Sequence, residues 1–422
     1  MADGDASAAS HQILEHPLVV PDAAAWVQEP QQLADIADQV RAAGAMAYDT
    51  EFIGESTYWP MLCLIQIATP DRLVVIDALA EMDLEPVWSL LADPGVVKVV
   101  HGGGQDLEPV VRHLDREAVN VFDTQVAAGF CGLPYPLSLA RLVQDLLQVR
   151  LAKGLTFTSW DERPLSPAHL RYAADDVRYG LALREALEAV LTENGNLERA
   201  GAVCAAACAK ENFIFDAELQ VGRVRGAKSL GARPRAVLLE LVALRDQEAR
   251  ERDLPPRTMI RDEVLVDLAK RCPRSEAALK KVVGLPRPLL EGGGELLLKA
   301  LERGAEAAAQ VKVAASVEEL PRERYGADAL WAMVQAHCRA RQIDPALVAT
   351  RKQLTRLHRT WIGRGQLEDP ILAGWRGEFL RPWLSRFLRG EESAAFSWSQ
   401  QQLAPAERAE INQSSTVEEH DA

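Results

Sequence analysis

The chain has 422 residues, 48% of them hydrophobic and 26% charged, and carries a formal net charge of −14 at pH 7. That is enough apolar material for more than one core and predicts two or three domains, while no uninterrupted apolar run approaches the roughly 20 residues of a membrane-spanning helix. The opening "MADGDASAAS" lacks the basic and apolar regions of a secretory signal, so a cytoplasmic location is expected.

Residues 1–12 and 401–422 are polar and aperiodic and are expected to be disordered tails. From 45 to 122, "AMAYDTEF", "MLCLIQIAT", "RLVVIDAL", "VVKVV" and "VNVFD" are short apolar runs separated by turn residues, which predicts strands. Short loops join the first three, so they should pair antiparallel. The helical spans "LEPVWSLLADP" and "GQDLEPVVRHL" precede the later ones, which should pair in parallel. From 124 to about 210 the pattern is helical, with Ser166 and Pro167 as cap and first residue of a long helix. The first domain is therefore placed at 13–215. "VGRVRGAKSLGARPR" reads as a basic linker, and two all-helical modules follow at 232–308 and 325–390, divided by "SVEELPRERYG".

The six cysteines show no CxxC spacing, so reduced thiols are expected rather than zinc. Cys204 and Cys208 are four apart and should be small buried side chains on one helix face. The acidic average hides a division: residues 222–312 and 322–389 together carry +13, leaving −27 for the rest. An acidic part that concentrates cations beside a basic part that attracts a polyanion fits this polarity, although Arg223, Arg225, Lys228, Arg233 and Arg235 could equally line an exposed linker.

Side chains alternate along a strand, so Asp49 and Glu51 in "AMAYDTEF" project to one face with Cα atoms about 7 Å apart. Two carboxylates that close repel unless a cation lies between them, and in a central strand they would be costly to leave unpaired. In "VVKVVHGGGQDLEPVVRHL" a strand runs into a glycine-rich turn, and Asp106 is expected in the first turn of the next helix. In "LRYAADDVRYGLAL", Tyr172 and Asp176 are four apart and share a helical face. Asp175 is turned about 100° away and reads as a neighbour that is either solvated or stands behind the ligands, outside the site itself.

DxE on a first strand, Asp after a later strand and YxxxD on a late helix together resemble the DEDD family of 3′-5′ exonucleases. "KGLTFTSWDERPLSPAHLRYAADDVRY", with Lys153, Trp160, Arg163, Pro164 and Leu165, is similar to the ribonuclease D branch; "GWRGEFL" at 374–380 resembles the end of its second HRDC-type helical domain. The resemblance implies a ribonuclease H-like α/β exonuclease domain, a mixed sheet flanked by helices, followed by two all-α HRDC-like domains. It further implies that Asp49, Glu51, Asp106 and Asp176 hold two divalent ions and that Tyr172 places the attacking water. Oxygen-only ligands point to Mg²⁺ or Mn²⁺. A sister class has histidine five residues before the last Asp; Arg171 stands there, and His169 is out of register, which favours the tyrosine class. Leu155, Phe157 and Ser159 stand where relatives commonly carry polar residues, and Gln105 precedes the Asp where others have Asn nearby.

Phe52, Met61, His101 and Gln105 are candidate substrate contacts, each with a structural alternative in the core or at a strand end. Trp160 is expected to anchor the loop framing the site. The function implied is an exoribonuclease that trims 3′ ends of structured RNA, tRNA precursors above all, releases 5′-mononucleotides and requires no obligate protein partner. A DNA exonuclease of the Werner type and a non-catalytic RNA-binding scaffold are the competing readings; the scaffold is disfavoured because all four acids and the tyrosine are present.

Overall fold

The computed structural model describes residues 13–54, 56–152, 159–291, 294–309, 320–391, 396–399 and 402–405. Six strands build one mixed sheet: β1 (Ala25–Val27), β2 (Ala45–Ile53), β3 (Met61–Ala68), β4 (Leu73–Asp77), β5 (Val97–Val100) and β6 (Val121–Asp123). Their spatial order is β1-β4-β3-β2-β5-β6. Connection length decides direction: β2, β3 and β4 pair antiparallel, whereas β5 pairs parallel to β2 and β6 parallel to β5. Strand β1 escapes sequence reading because three residues, "AWV", cannot display alternation; it is held by parallel pairing to β4.

Helices α1 (Pro30–Ala43), α2 (Glu85–Leu91) and α3 (Glu108–Leu114) cover one face, packing Leu33, Val40, Trp88 and Val110 against Met46, Tyr48, Ile65 and Ile67. Next come α4 (Thr124–Phe130), α5 (Leu139–Leu147), α6 (Pro167–Arg178), α7 (Gly180–Glu193) and α8 (Leu197–Ala207). Ser166 caps α6 as expected, its hydroxyl accepting from the His169 N–H at 3.2 Å. On the opposite face of the sheet Ala174, Val177 and Leu181 press on Ala47 and Val99. A Cβ at Gly180 would stand 2.6 Å from that of Ala47, so only glycine lets α7 start against β2.

The first helical module holds α9 (Ala217–Arg223), α10 (Ala232–Glu251), α11 (Pro256–Met259), α12 (Asp262–Arg271), α13 (Glu276–Leu279), α14 (Arg287–Glu291) and α15 (Gly294–Glu306). The segment read as a basic linker belongs to its core: Val221, Val224, Ala227 and Leu230, three residues apart, are all buried there. Its arginines dominated the composition while the apolar period of three set the structure. The second module holds α16 (Pro321–Arg339), α17 (Pro345–Val348), α18 (Arg351–Arg364) and α19 (Gly374–Leu388). It shares one core with the α/β domain: Leu347, Leu380 and Leu384 join Phe130, Leu183 and Leu187. Asn196, 1% exposed, donates to the carbonyls of Phe130 and Arg341 across that junction.

The expected disordered tail begins too early. Residues 402–405 form β8, antiparallel to β7 (Phe396–Ser399), because the alternating "FSWS" supplies a strand partner that tail composition averages away. Residues 1–12 and 406–422 lie outside the described residues. Among the described residues no helix is long and apolar enough to cross a membrane.

Candidate active site

Parallel pairing of β2 to β5 ends at Ala47 and Val99. Beyond it β2 runs on for six residues beside β3 alone, so the edge facing β5 opens into a crevice at the carboxyl ends of the parallel strands. Asp49 and Glu51 lie on that free stretch, and a register shift between Glu51 and Phe52 bends the strand just past them. The crevice is a cavity of about 280 Å³ lined by Asp49, Glu51, His101, Thr124, Tyr172 and Asp176 among others, with no lysine or arginine among the described residues of its wall. Helix α6 crosses β2 and β3, which carries Tyr172 and Asp176 over the sheet.

Asp106 arrives from the other side of β2. It lies in the turn ahead of α3 rather than in the helix, whose first residue is Glu108, because Pro109 and the glycine turn delay the helical register. The Tyr48 hydroxyl donates to the Asp106 carbonyl at 3.1 Å, and the Thr50 hydroxyl donates to its carboxylate. Tyr48 and Thr50 thus fix the third acid while their neighbours in sequence present the first two.

Burial and mutual repulsion act on all four acids. Burial first, then Asp106 and Asp176, push Asp49 well above the carboxylate range. Glu51 is pushed to about 8 by burial, Asp49 and Asp106. Asp176 reaches about 8 through burial, Glu51 and Asp175. Burial also raises Asp106, against hydrogen bonds that favour its anion. The Tyr172 phenol is raised by burial and by Asp176, Glu51 and Asp49, so it remains an O–H donor at neutral pH. Among the described residues no three acidic, histidine or cysteine side chains are drawn together tightly enough to cage an ion as they stand. The donor chemistry nevertheless suits hard divalent cations: carboxylate oxygens that disfavour their own negative charge, with no lysine or arginine beside them among the described residues.

The other sequence candidates separate. His101 lines the cavity, but both ring nitrogens are engaged, Nδ1 with the Thr124 hydroxyl and Nε2 with the Leu137 carbonyl, each at 2.9 Å. It braces the strand end. Gln105 is exposed and outside the cavity wall, and Phe52 and Met61 pair with Leu62 and Ile53 farther along the hairpin, also outside it. Trp160 is buried among Cys63, Leu64, Val75, Leu165 and Ala173, with its ring 6.0 Å from that of Tyr172, as a loop anchor should be. Lys153, Leu155 and Phe157 lie outside the described residues. Asp175 is not solvated: it is 7% exposed and paired with Arg178 at 2.8 Å, and Arg178 in turn binds the carbonyls of Val20 and Asp22. The six cysteines are free thiols, with Cys204 and Cys208 buried.

Two residues to which sequence reasoning gave no role of their own complete the frame. Arg163 grips both oxygens of Asp77 and donates to the carbonyls of Trp160 and Cys63, fastening the loop before α6 to β3 and β4. Asp123 caps α4 and accepts from the Gly102 N–H at 2.9 Å, holding the glycine turn in which Gly102 takes φ +68°. An Asp at a strand–helix junction was the available signal for the second; nothing local announced the partner of the first.

Comparison with known proteins agrees with this architecture. Residues 24–192 match the 3′-5′ exonuclease family and residues 235–301 the HRDC domain. The chain is 33% identical to ribonuclease D of Gluconacetobacter diazotrophicus over 82% of its own length and 88% of that protein. It is 31% identical to ribonuclease D of Escherichia coli over 85% and 96%. The crystal structure of Escherichia coli RNase D, described as an exoribonuclease involved in structured RNA processing, superposes with a TM-score of 0.73 at 28% identity, covering 88% of this chain and all of that one. An exonuclease sheet with its acids at the strand ends, joined to an HRDC domain and alignable almost end to end with these relatives, means that the chain belongs to the ribonuclease D family of metal-dependent 3′-5′ exoribonucleases.

Proposed function

We propose that Asp49, Glu51, Asp106 and Asp176 together hold two divalent ions, Mg²⁺ or Mn²⁺, at the cleft beyond β5, and that the chain shortens the 3′ ends of structured RNAs, tRNA precursors above all, releasing 5′-mononucleotides. The observation that carries this is the convergence of Asp49, Glu51 and Asp176 on one cavity, with no lysine or arginine among the described residues of its wall; burial and repulsion between the carboxyls raise all three together. When bound, the ions supply activation of water and charge neutralisation at the departing 3′ oxygen. The protein does the rest. Asp49 and Glu51 stand on one strand face, Thr50 orients the Asp106 carboxylate from behind, and α6 brings Asp176 across the sheet. Tyr172 keeps its proton and so orients a water or a phosphate oxygen by donating to it, rather than acting as a base.

The RNA body is held by the helical modules in this reading. Arg223, Arg225, Arg257 and Arg261 line a cavity of about 500 Å³ on the first of them, and Asp262 in the same wall is already paired with Arg245 at 2.7 Å. Four guanidinium groups against two acids, Asp262 and Glu263, the first of them already in an ion pair, suit a phosphate backbone. The test is hydrolysis of a 3′-extended tRNA in Mg²⁺ by the wild type and Asp49→Asn. Loss of at least about a thousandfold in kcat is expected, the scale of removing a charged group that acts on the transition state. Equal rates overturn the assignment, and preferential competition by single-stranded DNA overturns RNA as the substrate.

A further inference from the structure

The apolar strand β3, "MLCLIQIA", contains one polar side chain, Gln66, and it is 0% exposed. Neither its amide nitrogen nor its amide oxygen has a hydrogen-bond partner. A buried amide left in that state is destabilising, which is why buried polar groups in folded proteins are nearly always paired. Register shows where the amide lies. Gln66 is directly opposite Asp49 in the antiparallel pair of β3 with β2, and opposite Val75 on β4. Residues directly opposite each other share a face of the sheet, with Cβ atoms about 5 Å apart. Gln66 is therefore on the face of Asp49, beneath α6, beside the carboxylate that opens the DxE motif.

We infer that Gln66 is a positioning residue for the metal site: its amide N–H donates to the Asp49 carboxylate oxygen that faces away from the ions, fixing the other oxygen toward them. The inference rests on the metal-site reading above. An aspartate that binds an ion through one oxygen leaves the second with unused acceptor capacity, and an amide one strand away is the nearest uncommitted donor on that face of β3. The Gln66 oxygen remains free to accept from a water held in the same cleft. No other side chain on β3 can perform this role, since its neighbours on that face, Leu64 and Ala68, carry no polar atoms.

The experiment is calorimetric titration of Mn²⁺ into the full-length wild type, Gln66→Met and Asp49→Asn, with thermal melts of each protein in chelator. Gln66→Met keeps the side-chain volume and removes both amide atoms. The expected result is Mn²⁺ affinity at least about 10-fold weaker, as for other partners of a metal ligand, with a melting temperature in chelator equal to or above wild type. In Mg²⁺, kcat falls while KM for RNA is unchanged. Affinity equal to wild type, or a lower melting temperature in chelator, overturns the inference, the latter because it shows the amide already serving the metal-free fold. Asp49→Asn separates the two ideas. If it abolishes Mn²⁺ binding while Gln66→Met binds with wild-type affinity, only the role of Gln66 fails; if neither variant changes binding, the metal-site reading fails with it.

Discussion

The Tyr58 hydroxyl donates to Asp246 at 2.8 Å, tying the loop between β2 and β3 to α10 of the first helical module. Arg250 strengthens the tie: it donates to the Tyr58 oxygen at 3.1 Å and sits 5.2 Å over the ring, while Trp59 next to it lies under Arg112 of α3 at 5.0 Å. One loop thus connects the hairpin carrying Asp49 and Glu51, the helix following Asp106 and the module proposed to hold RNA.

Tyr58→Phe removes both hydroxyl interactions and keeps the ring. It should lower unfolding free energy by about 1.5 kcal/mol, the lower end for a hydrogen bond to a charged partner because Tyr58 is half-buried, read by urea denaturation. Amide exchange at residues 56–59 should quicken, and cleavage of a short oligonucleotide should persist while KM for a structured RNA rises. Unaltered exchange would mean that the loop is held by packing instead.

Beside the buried Trp160, an ion pair ties the loop ahead of α6 to the sheet. Asp77 is 7% exposed, and Arg163 reaches both of its oxygens. Arg163→Met strands that carboxylate and should destabilise by about 3 kcal/mol, the lower end for breaking a buried pair, since the Arg163 side chain is 26% exposed. Adding Asp77→Asn should recover part of the loss. A chemical-denaturation cycle over the four proteins measures the coupling, and purely additive effects would show that the pair does not act as a unit.

Why some of this was legible in the sequence and some not follows from the range of each signal. Strand direction depends on the length of each connection, the pairing of Asp49 with Glu51 on alternation within nine residues, and that of Tyr172 with Asp176 on one helical turn, so local spacing was sufficient. The approach of Asp106 was recognisable only as part of a three-motif pattern, and its placement in the turn depended on Thr50 and Tyr48, 56 and 58 residues away. Between the two readings of Asp175, solvated or standing behind the ligands, local sequence could not choose, because its partner's other hydrogen bonds, to Val20 and Asp22, come from the far end of the domain. Docking of the second helical module through Asn196 likewise left no local trace, and composition misled in residues 221–235, where four arginines mask the apolar period of the four buried residues that shape the segment.

Charge removal on the first helical module tests the proposed RNA grip. Arg225→Ala, Arg257→Ala and Arg261→Ala together should weaken binding of a structured RNA and reduce the slope of log affinity against log salt by about 2–3, near one for each phosphate no longer neutralised. Hydrolysis of a short single strand should be unaffected. Filter binding across a salt series gives the slope, and an unchanged slope with weaker binding would assign these arginines to structure.

Metal and protons should compete at the cleft. In the metal-free protein Glu51 and Asp176 titrate near 8, above the roughly 4 of an exposed carboxylate, so between those values the folded state binds more protons than the unfolded one. Stability of the metal-free form must then fall as pH rises from about 4 to about 8 and level off beyond, because each step of ionisation in the fold is opposed by burial and by the neighbouring acids. Divalent ions bind the ionised oxygens, so they reverse that loss and must displace protons below pH 8. The rise in melting temperature on adding Mn²⁺ should therefore be largest near pH 8.5 and shrink progressively toward pH 6, with proton release on binding at pH 7 detectable as a buffer-dependent heat. Asp176→Asn should reduce both the shift and the released protons. A melting shift equal at pH 6 and pH 8.5 would show that the ions do not bind where these carboxylates gather.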